Sequence, residues 1–254
     1  MQISIITVCY NSALTIENTI ASVAKQNYKN VEYILIDGAS TDNTVDIIKR
    51  HKEVSMVVSE PDEGIYDAMN KGLLLAAGDV IGTLNADDFY IDKNVLSEVA
   101  SVFEDESIDA CFADLVYVDQ FDTNKIVRYW QSKPYNEGLF KQGWMPAHPT
   151  FFARKCIYEK FGVFNLDYKI AADFELLFRF IEKNKIRTAY LPKVIIKMRL
   201  GGTTNKSMRN IKFQNEEIIQ ILRSHYRDFS VVKFWSHKVA NRFLQFVCRP
   251  SQLD

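Results

Sequence analysis

The sequence contains few of the residues that mark several classes of protein. Its 254 residues include four cysteines, widely spaced and without a Cys-x-x-Cys pair: Cys9, Cys111, Cys156 and Cys248. A disulfide framework and a structural zinc site are therefore not indicated, and we expect a reducing, cytoplasmic environment. Ten glycines and six prolines are too few for a collagen-like or low-complexity chain.

Long apolar runs and an excess of charge are also missing. No apolar stretch approaches the ~18 residues of a membrane-spanning helix, and the first residues, MQISIITV, lack the basic region and the cleavage site of a signal peptide. The net charge of −1 gives no positive field that would attract nucleic acid. We therefore expect neither a secreted protein nor a nucleic-acid binder.

The pattern that is present is typical of an α/β protein. Apolar, β-branched runs at 2–9, 31–37, 54–59 and 79–84 alternate with helical patterns. This alternation predicts βαβ units and a parallel sheet, so residues 1–90 resemble a nucleotide-binding half.

Residues 91–204 complete the predicted domain with a less regular pattern. It predicts a strand at 109–118, a helix at 173–183 and strand-like pieces at 186–191 and 194–199. The last segment, 205–254, carries 9 basic and 4 acidic residues and has amphipathic helical patterns at 206–224 and 230–247. We expect a basic helical extension there.

Two adjacent carboxylates, Asp87 and Asp88, follow the predicted strand 79–84. Ligands bind at the carboxyl ends of strands in open α/β sheets, and paired hard oxygen ligands suit Mg²⁺ or Mn²⁺. The alternative is a solvated turn before a helix at 93–106. Asp37 ends another strand, where it suits recognition of a base or ribose or, alternatively, forms a turn before Gly38.

Four motifs occur in order along the first 90 residues. They are IITVCYN at 5–11, IDGASTD at 36–42, SEPDEGIYDAMNKG at 59–72 and AGDVIGTLNADD at 77–88. Together they resemble family-2 glycosyltransferases of the GT-A fold, and the likeness extends over about residues 1–200. The resemblance implies a mostly parallel sheet flanked by helices, a nucleotide-sugar donor that is usually UDP-linked, and inversion at the anomeric carbon.

The resemblance also implies the donor-binding residues. They are Thr7, Tyr10, Asn11, Asp37, Glu60, Gly64, Lys71, Asn85, Ala86, Asp87, His148 and Arg199. Thr7, Tyr10 and Asn11 would border the base and ribose, Asp37 would accept from the uracil, and the loop from Glu60 to Gly64 would close the pocket. The metal motif has Asn85 at its first acidic position, which leaves open whether Asp87 or Asp88 is the direct ligand of Mn²⁺ or Mg²⁺.

An inverting transfer needs a base for the acceptor hydroxyl. Asp173 lies where the family has this carboxylate, with Ala172 where a second acid is often found; the alternative is an N-cap for helix 173–183. His148 would contact acceptor or pyrophosphate, or be a packed histidine. Arg199 would neutralise the departing diphosphate, or be a surface arginine beside a flexible turn.

The basic extension combines cations with aromatic residues between 206 and 247. Such helices suit an anionic membrane surface, which predicts peripheral contact at the inner face of the cytoplasmic membrane. The alternatives are a helical cap on the domain or the subunit interface of a homo-oligomer.

The sequence thus predicts a metal-dependent glycosyltransferase of bacterial surface polysaccharide synthesis, acting on a saccharide or a polyprenyl-diphosphate-linked acceptor. One alternative is a non-catalytic, sugar-nucleotide-binding subunit of an assembly complex. Another is a sugar-1-phosphate nucleotidyltransferase, which the Tyr10-Asn11-Ser12 segment disfavours because it replaces a glycine-rich phosphate loop.

Overall fold

The computed structural model describes residues 1–201 and 208–247. Nine strands form one sheet, in the order β3 (Met56–Ser59), β2 (Val31–Asp37), β1 (Ile3–Cys9), β4 (Val80–Thr83), β8 (Phe152–Arg154), β6 (Ala110–Val118), β9 (Thr188–Arg199) and β5 (Phe89–Tyr90), with β7 (Ile126–Trp130) paired to β6. Successive residues of β1 face opposite sides of this sheet, so Ile5 and Ile6 pack in two different core clusters. A strand buried on both faces has the nearly continuous apolar sequence from which it was predicted.

The N-terminal half consists of alternating strands and helices. These are β1 (Ile3–Cys9), α1 (Ile16–Ala24), β2 (Val31–Asp37), α2 (Thr44–Ile48), β3 (Met56–Ser59), α3 (Ile65–Leu75) and β4 (Val80–Thr83). All three strand pairings in this half are parallel. The carboxyl ends of β1, β2 and β4 therefore lie at the same edge, as the sequence predicts.

The second half is mixed. Its elements are β5 (Phe89–Tyr90), α4 (Val95–Val102), β6 (Ala110–Val118), β7 (Ile126–Trp130), β8 (Phe152–Arg154), α5 (Lys155–Phe161), α6 (Ala172–Leu177) and β9 (Thr188–Arg199). Short 3-10 turns occupy Leu139–Gln142 and His148–Thr150, and a π-helical turn, Phe178–Lys183, continues α6. Strand β8 runs antiparallel to β4 and β6, whereas β6 and β9 are parallel.

The strand pieces predicted at 186–191 and 194–199 are one strand, β9. Its register with β6 shifts between two pairs: Phe112 pairs with Tyr190, but Asp114, two residues later, pairs with Val194, four residues later. Pro192 lies within the shifted segment, and proline cannot donate to a ladder. The irregularity that divides the sequence pattern is thus a bulge inside a continuous strand.

The two C-terminal helices pack onto the domain. They are α7 (Met208–His225) and α8 (Val231–Val247), close to their predicted bounds. Leu222 and Phe234 are fully buried and share a core cluster with Phe174 of α6. Among residues 1–201 and 208–247, none of the helices has the length and apolar character needed to cross a bilayer.

Candidate active site

The ends of β1 and β2 are tied together by Asn11. This residue has a φ of 49°, in the left-handed region that asparagine tolerates better than most residues. Its side-chain oxygen accepts a hydrogen bond of 2.8 Å from the Thr41 amide, and its own amide donates to the Ser40 hydroxyl at 2.8 Å. Asn11 therefore shapes the loop after β2, and the exposed Tyr10 ring lies beside that loop.

Asp37, at the end of β2, is completely buried. Its carboxylate accepts hydrogen bonds from the Ser40 amide at 3.0 Å, the Ser40 hydroxyl at 2.5 Å and the Ser59 hydroxyl at 2.7 Å. The Asp62 carboxylate sits against Gly38, where any side chain would collide with it. The loop before α3 thus closes directly over the end of β2, which brings Asp62, not singled out from the sequence, into the site.

Lys71 anchors this loop, residues 60–64, from α3. Its ammonium lies 2.9 Å from the Glu60 carboxylate and donates to the Pro61 carbonyl at 2.8 Å. Gly64 ends the loop with a φ of 120°, which side-chain-bearing residues rarely adopt. Glu60, Gly64 and Lys71 are therefore brought together as one structural unit at the crevice edge.

The turn after β4 holds the carboxylate motif. The Asn85 amide group donates to Asp88 Oδ2 at 3.0 Å, and the Asp88 amide donates to the Asn85 carbonyl at 3.0 Å. From α1, the Thr19 hydroxyl reaches the carbonyls of Ala86 and Asp88 at 3.0 and 2.7 Å. Burial, followed by repulsion from Asp87, raises the pKa of the Asp88 carboxyl well above its ordinary value.

The same turn presents oxygen atoms suited to a divalent cation. Asn85 Oδ1 and Asp88 Oδ1 are buried without a hydrogen-bond partner, which is costly unless another group, such as a cation, contacts them. Asp87 adds a partly exposed carboxylate. Among the described residues, no group of three or more His, Cys, Asp or Glu side chains is placed to hold a metal ion. A cation here would therefore be held by this turn and by waters or substrate oxygens, as Mg²⁺ commonly is.

Arg199, at the end of β9, lies against this turn. Its guanidinium donates to the Asp87 carbonyl at 2.7 Å and lies 4.8 Å from the centre of the Phe89 ring. Only 6% of the residue is exposed. The alternative of a surface arginine is therefore wrong, and a fixed positive charge lies beside the two carboxylates.

The predicted donor-binding residues Thr7 and His148 are buried as well. Thr7 is fully buried, and its hydroxyl lies 3.2 Å from that of Tyr33, because the middle of β1 is covered on both faces. His148 is 7% exposed with its ring edge-on to Phe164, and burial lowers its pKa to about 4. This placement matches the packed-histidine alternative, and the structure does not bring either side chain to the strand-end crevice.

Asp173 lies in the first turn of α6. The N-cap residue is Ala171, whose side chain makes no capping hydrogen bond, so the N-cap alternative for Asp173 is wrong. Its carboxylate accepts from the Phe174 amide at 2.7 Å. Burial raises the pKa of the Asp173 carboxyl to about 6, although the Phe174 amide, Tyr66 and Lys238 oppose the shift. Such a value suits a group that accepts a proton near neutral pH.

The segment before Asp173 is held by a residue that the sequence reasoning missed. Glu217, on α7, is 7% exposed. Its carboxylate accepts from three successive backbone amides, those of Lys169, Ile170 and Ala171, at 2.7, 3.0 and 2.8 Å. The one sequence feature that could have indicated the buried position of Glu217 is that this acidic residue lies among the apolar positions of a helix.

The comparisons with known proteins identify the family of this chain. The chain matches the family model "Glycosyl transferase family 2" over residues 4–162. It belongs to this family. A PGL/p-HBAD biosynthesis glycosyltransferase of Mycobacterium tuberculosis is 30% identical over 207 residues, which cover 80% of this chain and 78% of that protein. The family resemblance found in the sequence is thereby confirmed, and the chain is a glycosyltransferase.

A second relative belongs to Escherichia coli. WfaP, a UDP-Glc:alpha-D-GlcNAc-diphosphoundecaprenol beta-1,3-glucosyltransferase, is 25% identical over 231 residues, covering 89% of each chain. WfaP and this chain are therefore similar over nearly their whole lengths.

Solved structures confirm the GT-A fold. S. aureus TarS 1-349 in complex with UDP-GlcNAc matches with a TM-score of 0.66 and 15% identity, covering 97% of this chain and 82% of that one. The mannosyltransferase PcManGT from Pyrobaculum calidifontis, in complex with GDP-Man and Mn²⁺, matches with a TM-score of 0.66 and 19% identity, covering 96% and 69%. At such identities the likeness concerns the fold.

Proposed function

We propose that this glycosyltransferase transfers a sugar from a UDP-linked donor, with inversion, to a hydroxyl of a lipid-linked saccharide. The observation that carries the proposal is the pair of carboxylate sites: Asp87 and Asp88 in the turn after β4, and Asp173 on α6. The first suits a nucleotide-diphosphate leaving group and the second suits a base. WfaP, similar over 89% of its length, is named for a UDP-glucose donor and a diphosphoundecaprenol acceptor.

Residues 1–90 are the proposed donor half. Tyr10 and Asp37, at the strand ends, would meet the uracil and ribose, and the loop from Glu60 to Gly64 would cover them. Because Asp37 is buried behind Ser40 and Ser59, a donor that reaches it must displace one of these serine contacts or bind through the Ser40 hydroxyl. Residues 91–204 then provide the acceptor half.

Asn85, Asp87 and Asp88 are the residues that would hold Mn²⁺ or Mg²⁺. When bound, the cation would screen the diphosphate and stabilise it as a leaving group. Asp87 is the proposed direct ligand because its side chain is partly exposed, whereas Asp88 is enclosed and accepts from Asn85. Arg199 adds a fixed positive charge beside the motif.

Asp173 is the proposed base. Its carboxylate would accept the proton of the attacking hydroxyl, which strengthens the nucleophile as the bond from the anomeric carbon to the diphosphate breaks. A pKa of about 6 leaves the group mostly ionised at pH 7. The alternative of a non-catalytic subunit is less economical because it assigns no role to this buried carboxylate.

We also propose that the protein contacts a membrane, and helix α8 supports this. Its outer face carries a stripe of exposed apolar residues at helical spacing, here called the α8 stripe: Val232, Trp235, Val239, Phe243 and Phe246. Val239 is 62% and Phe243 66% exposed. Apolar side chains beside lysines and arginines suit the headgroup region of an anionic bilayer, where a lipid-linked acceptor would lie.

The activity test uses the purified full chain with a panel of nucleotide sugars, Mn²⁺ and a synthetic lipid-diphosphate saccharide. We expect UDP release with at least one UDP-sugar, and a fall of roughly 10²–10⁴ in kcat for Asp173→Asn with little change in UDP affinity. Asp167→Asn, an exposed aspartate on the same segment, is the matched control. Near-wild-type turnover in Asp173→Asn would move the base elsewhere, with Glu175 the next candidate.

A further inference from the structure

Arg128, on β7, is a buried cation without an anionic partner among the described residues. The residue is 3% exposed, and its Nε and Nη2 atoms have no hydrogen-bond partner. The guanidinium lies 3.6 Å from the centre of the Tyr117 ring, on the neighbouring strand β6. Stacking on tyrosine compensates for part of the lost hydration, but it leaves those N–H groups unused.

Two more cations reach the same region from α8. This helix packs against β7, and it also packs against the Leu139–Gln142 turn, with Phe234 and the Lys238 stem close to Gly143. Arg242 is close enough to Arg128 and Lys238 to lower the pKa of both, after the larger effect of burial. Helix α8 contains no acidic residue that would neutralise the group.

The fold connects the cation group to both carboxylate sites. Tyr117 pairs with Arg128 and with Met198, whose neighbour Arg199 contacts the Asp87 carbonyl. Phe234, four residues before Lys238, shares a core cluster with Phe174, which follows Asp173. Tyr117 interacts electrostatically with Asp88 as well as with Arg128 and Arg242. At the other end, the Lys238 charge stabilises the ionised form of Asp173. One end of the cation group therefore lies beside the strand that leads to the metal motif, and the other lies beside the helix of the proposed base.

We propose that Arg128, Lys238 and Arg242 form a subsite for a diphosphate group, so that α8 completes the active site. Guanidinium groups bind phosphate oxygens through paired N–H donors, and lysine adds a point charge. Lys238 now donates to Asn215 Oδ1 at 2.6 Å, a neutral acceptor that a phosphate oxygen would replace. The diphosphate belongs to the nucleotide donor or to a lipid-linked acceptor, and the second source rests on the proposed function.

The test is calorimetry of the full chain with inorganic pyrophosphate, UDP, UMP and farnesyl diphosphate, each in EDTA and in Mg²⁺. Arg242→Gln and Lys238→Gln should each weaken pyrophosphate binding by about tenfold, because a charge-assisted hydrogen bond is lost. Lys233→Gln, an exposed lysine on the same helix, is the control and should change nothing.

The ligands separate the two sources. If the variants lose more affinity for UDP than for UMP, relative to the parent, the subsite belongs to the donor. If they lose affinity for farnesyl diphosphate while their affinity for UDP is unchanged, the subsite belongs to the acceptor. If all four ligands bind Arg242→Gln and Lys238→Gln within twofold of the parent, or if Lys233→Gln loses as much affinity, the subsite does not exist. Arg128→Lys adds a test of the buried position that retains its charge. The binding measurement does not require turnover. If the protein is inactive but its affinity for these ligands still depends on Arg242 and Lys238, the proposed activity is refuted and the subsite is not.

Discussion

The Glu217 carboxylate accepts a hydrogen bond of 2.8 Å from the amide of Ala171, two residues before Asp173. The first amides of a helix have no partner within it, and a negative charge at that end is favourable. Because the same carboxylate binds the amides of Lys169 and Ile170, the position of the proposed base depends on a helix that follows it by more than 30 residues in the chain.

Replacing Glu217 with glutamine should therefore destabilise the fold. Glutamine offers one acceptor oxygen and turns two N–H donors towards amides, so we expect a loss of roughly 1.5–3 kcal/mol in the free energy of unfolding. Urea denaturation measures it. Glu216→Gln is the matched control, because Glu216 is 59% exposed and faces Lys212. Equal stability of the two variants would contradict the role assigned to Glu217.

The pH dependence of turnover should report on Asp173. The base acts only when ionised, so kcat/KM should rise with pH through about 6 and level off above it, following the raised pKa of this carboxyl. His148, whose pKa is lowered to about 4, stays neutral in that range. We expect His148→Gln to leave the midpoint in place.

Removing the Lys238 charge should move the same midpoint upward, because that charge favours the ionised carboxylate. The amide of Phe174 and the Tyr66 hydroxyl also face Asp173 and remain in Lys238→Gln. A pH–rate profile of this variant with an unmoved midpoint would show that Lys238 does not act on the base.

Asn85→Asp tests the metal motif. The Asn85 amide group donates to Asp88 Oδ2 at 3.0 Å, so an aspartate here would place two carboxylates together. We expect a lower melting temperature in EDTA, since like charges repel, and a larger rise on adding Mn²⁺ than the parent shows. Thermal denaturation with and without Mn²⁺ measures both. Asn85→Ala is the control, and an Mn²⁺ response no greater than that of Asn85→Ala would contradict the site.

The α8 stripe should mediate binding to anionic vesicles. Co-sedimentation of the full chain should increase with the fraction of anionic lipid and decrease as salt screens the charges. Val239→Ser with Phe243→Ser should reduce it. Phe121→Ser, on an exposed loop residue far from α8 in sequence and 91% exposed, is the control. If binding to vesicles changes neither with the anionic lipid fraction nor with the stripe substitutions, a subunit interface becomes the better account of α8.

The sequence predicts the N-terminal half well because β1, β4 and most of β2 are buried on both faces. Residues 31–37 form β2 at the predicted bounds. Strands β5 and β8, of two and three residues, are too short for any periodicity to appear. Short elements depend on neighbours distant in the chain: β5 pairs with β9, more than 100 residues away.

Some candidate site residues can be predicted from a local sequence motif, and others depend on partners distant in the chain. Asp87 and Asp173 stand in recognisable motifs, whereas Thr19 and Glu217 act through backbone groups 67 and 46 residues away, in the bonds to Ala86 and Ala171. No local pattern marks such partners. Arg128 is similar, because its burial and its ring contact with Tyr117 arise only when β6 and β7 pair.

Helix α3 joins the proposed donor half to the proposed acceptor half. Its Tyr66, two residues after Gly64, donates to the Ile170 carbonyl at 2.8 Å, and Asn70 exchanges two hydrogen bonds of 2.9 Å with the backbone of Phe164. These hydrogen bonds give a rearrangement of the 60–64 loop a direct route to the segment leading to Asp173. Such a connection favours ordered binding, with the donor first, and amide hydrogen exchange across residues 164–171 should slow once UDP occupies the opposite half.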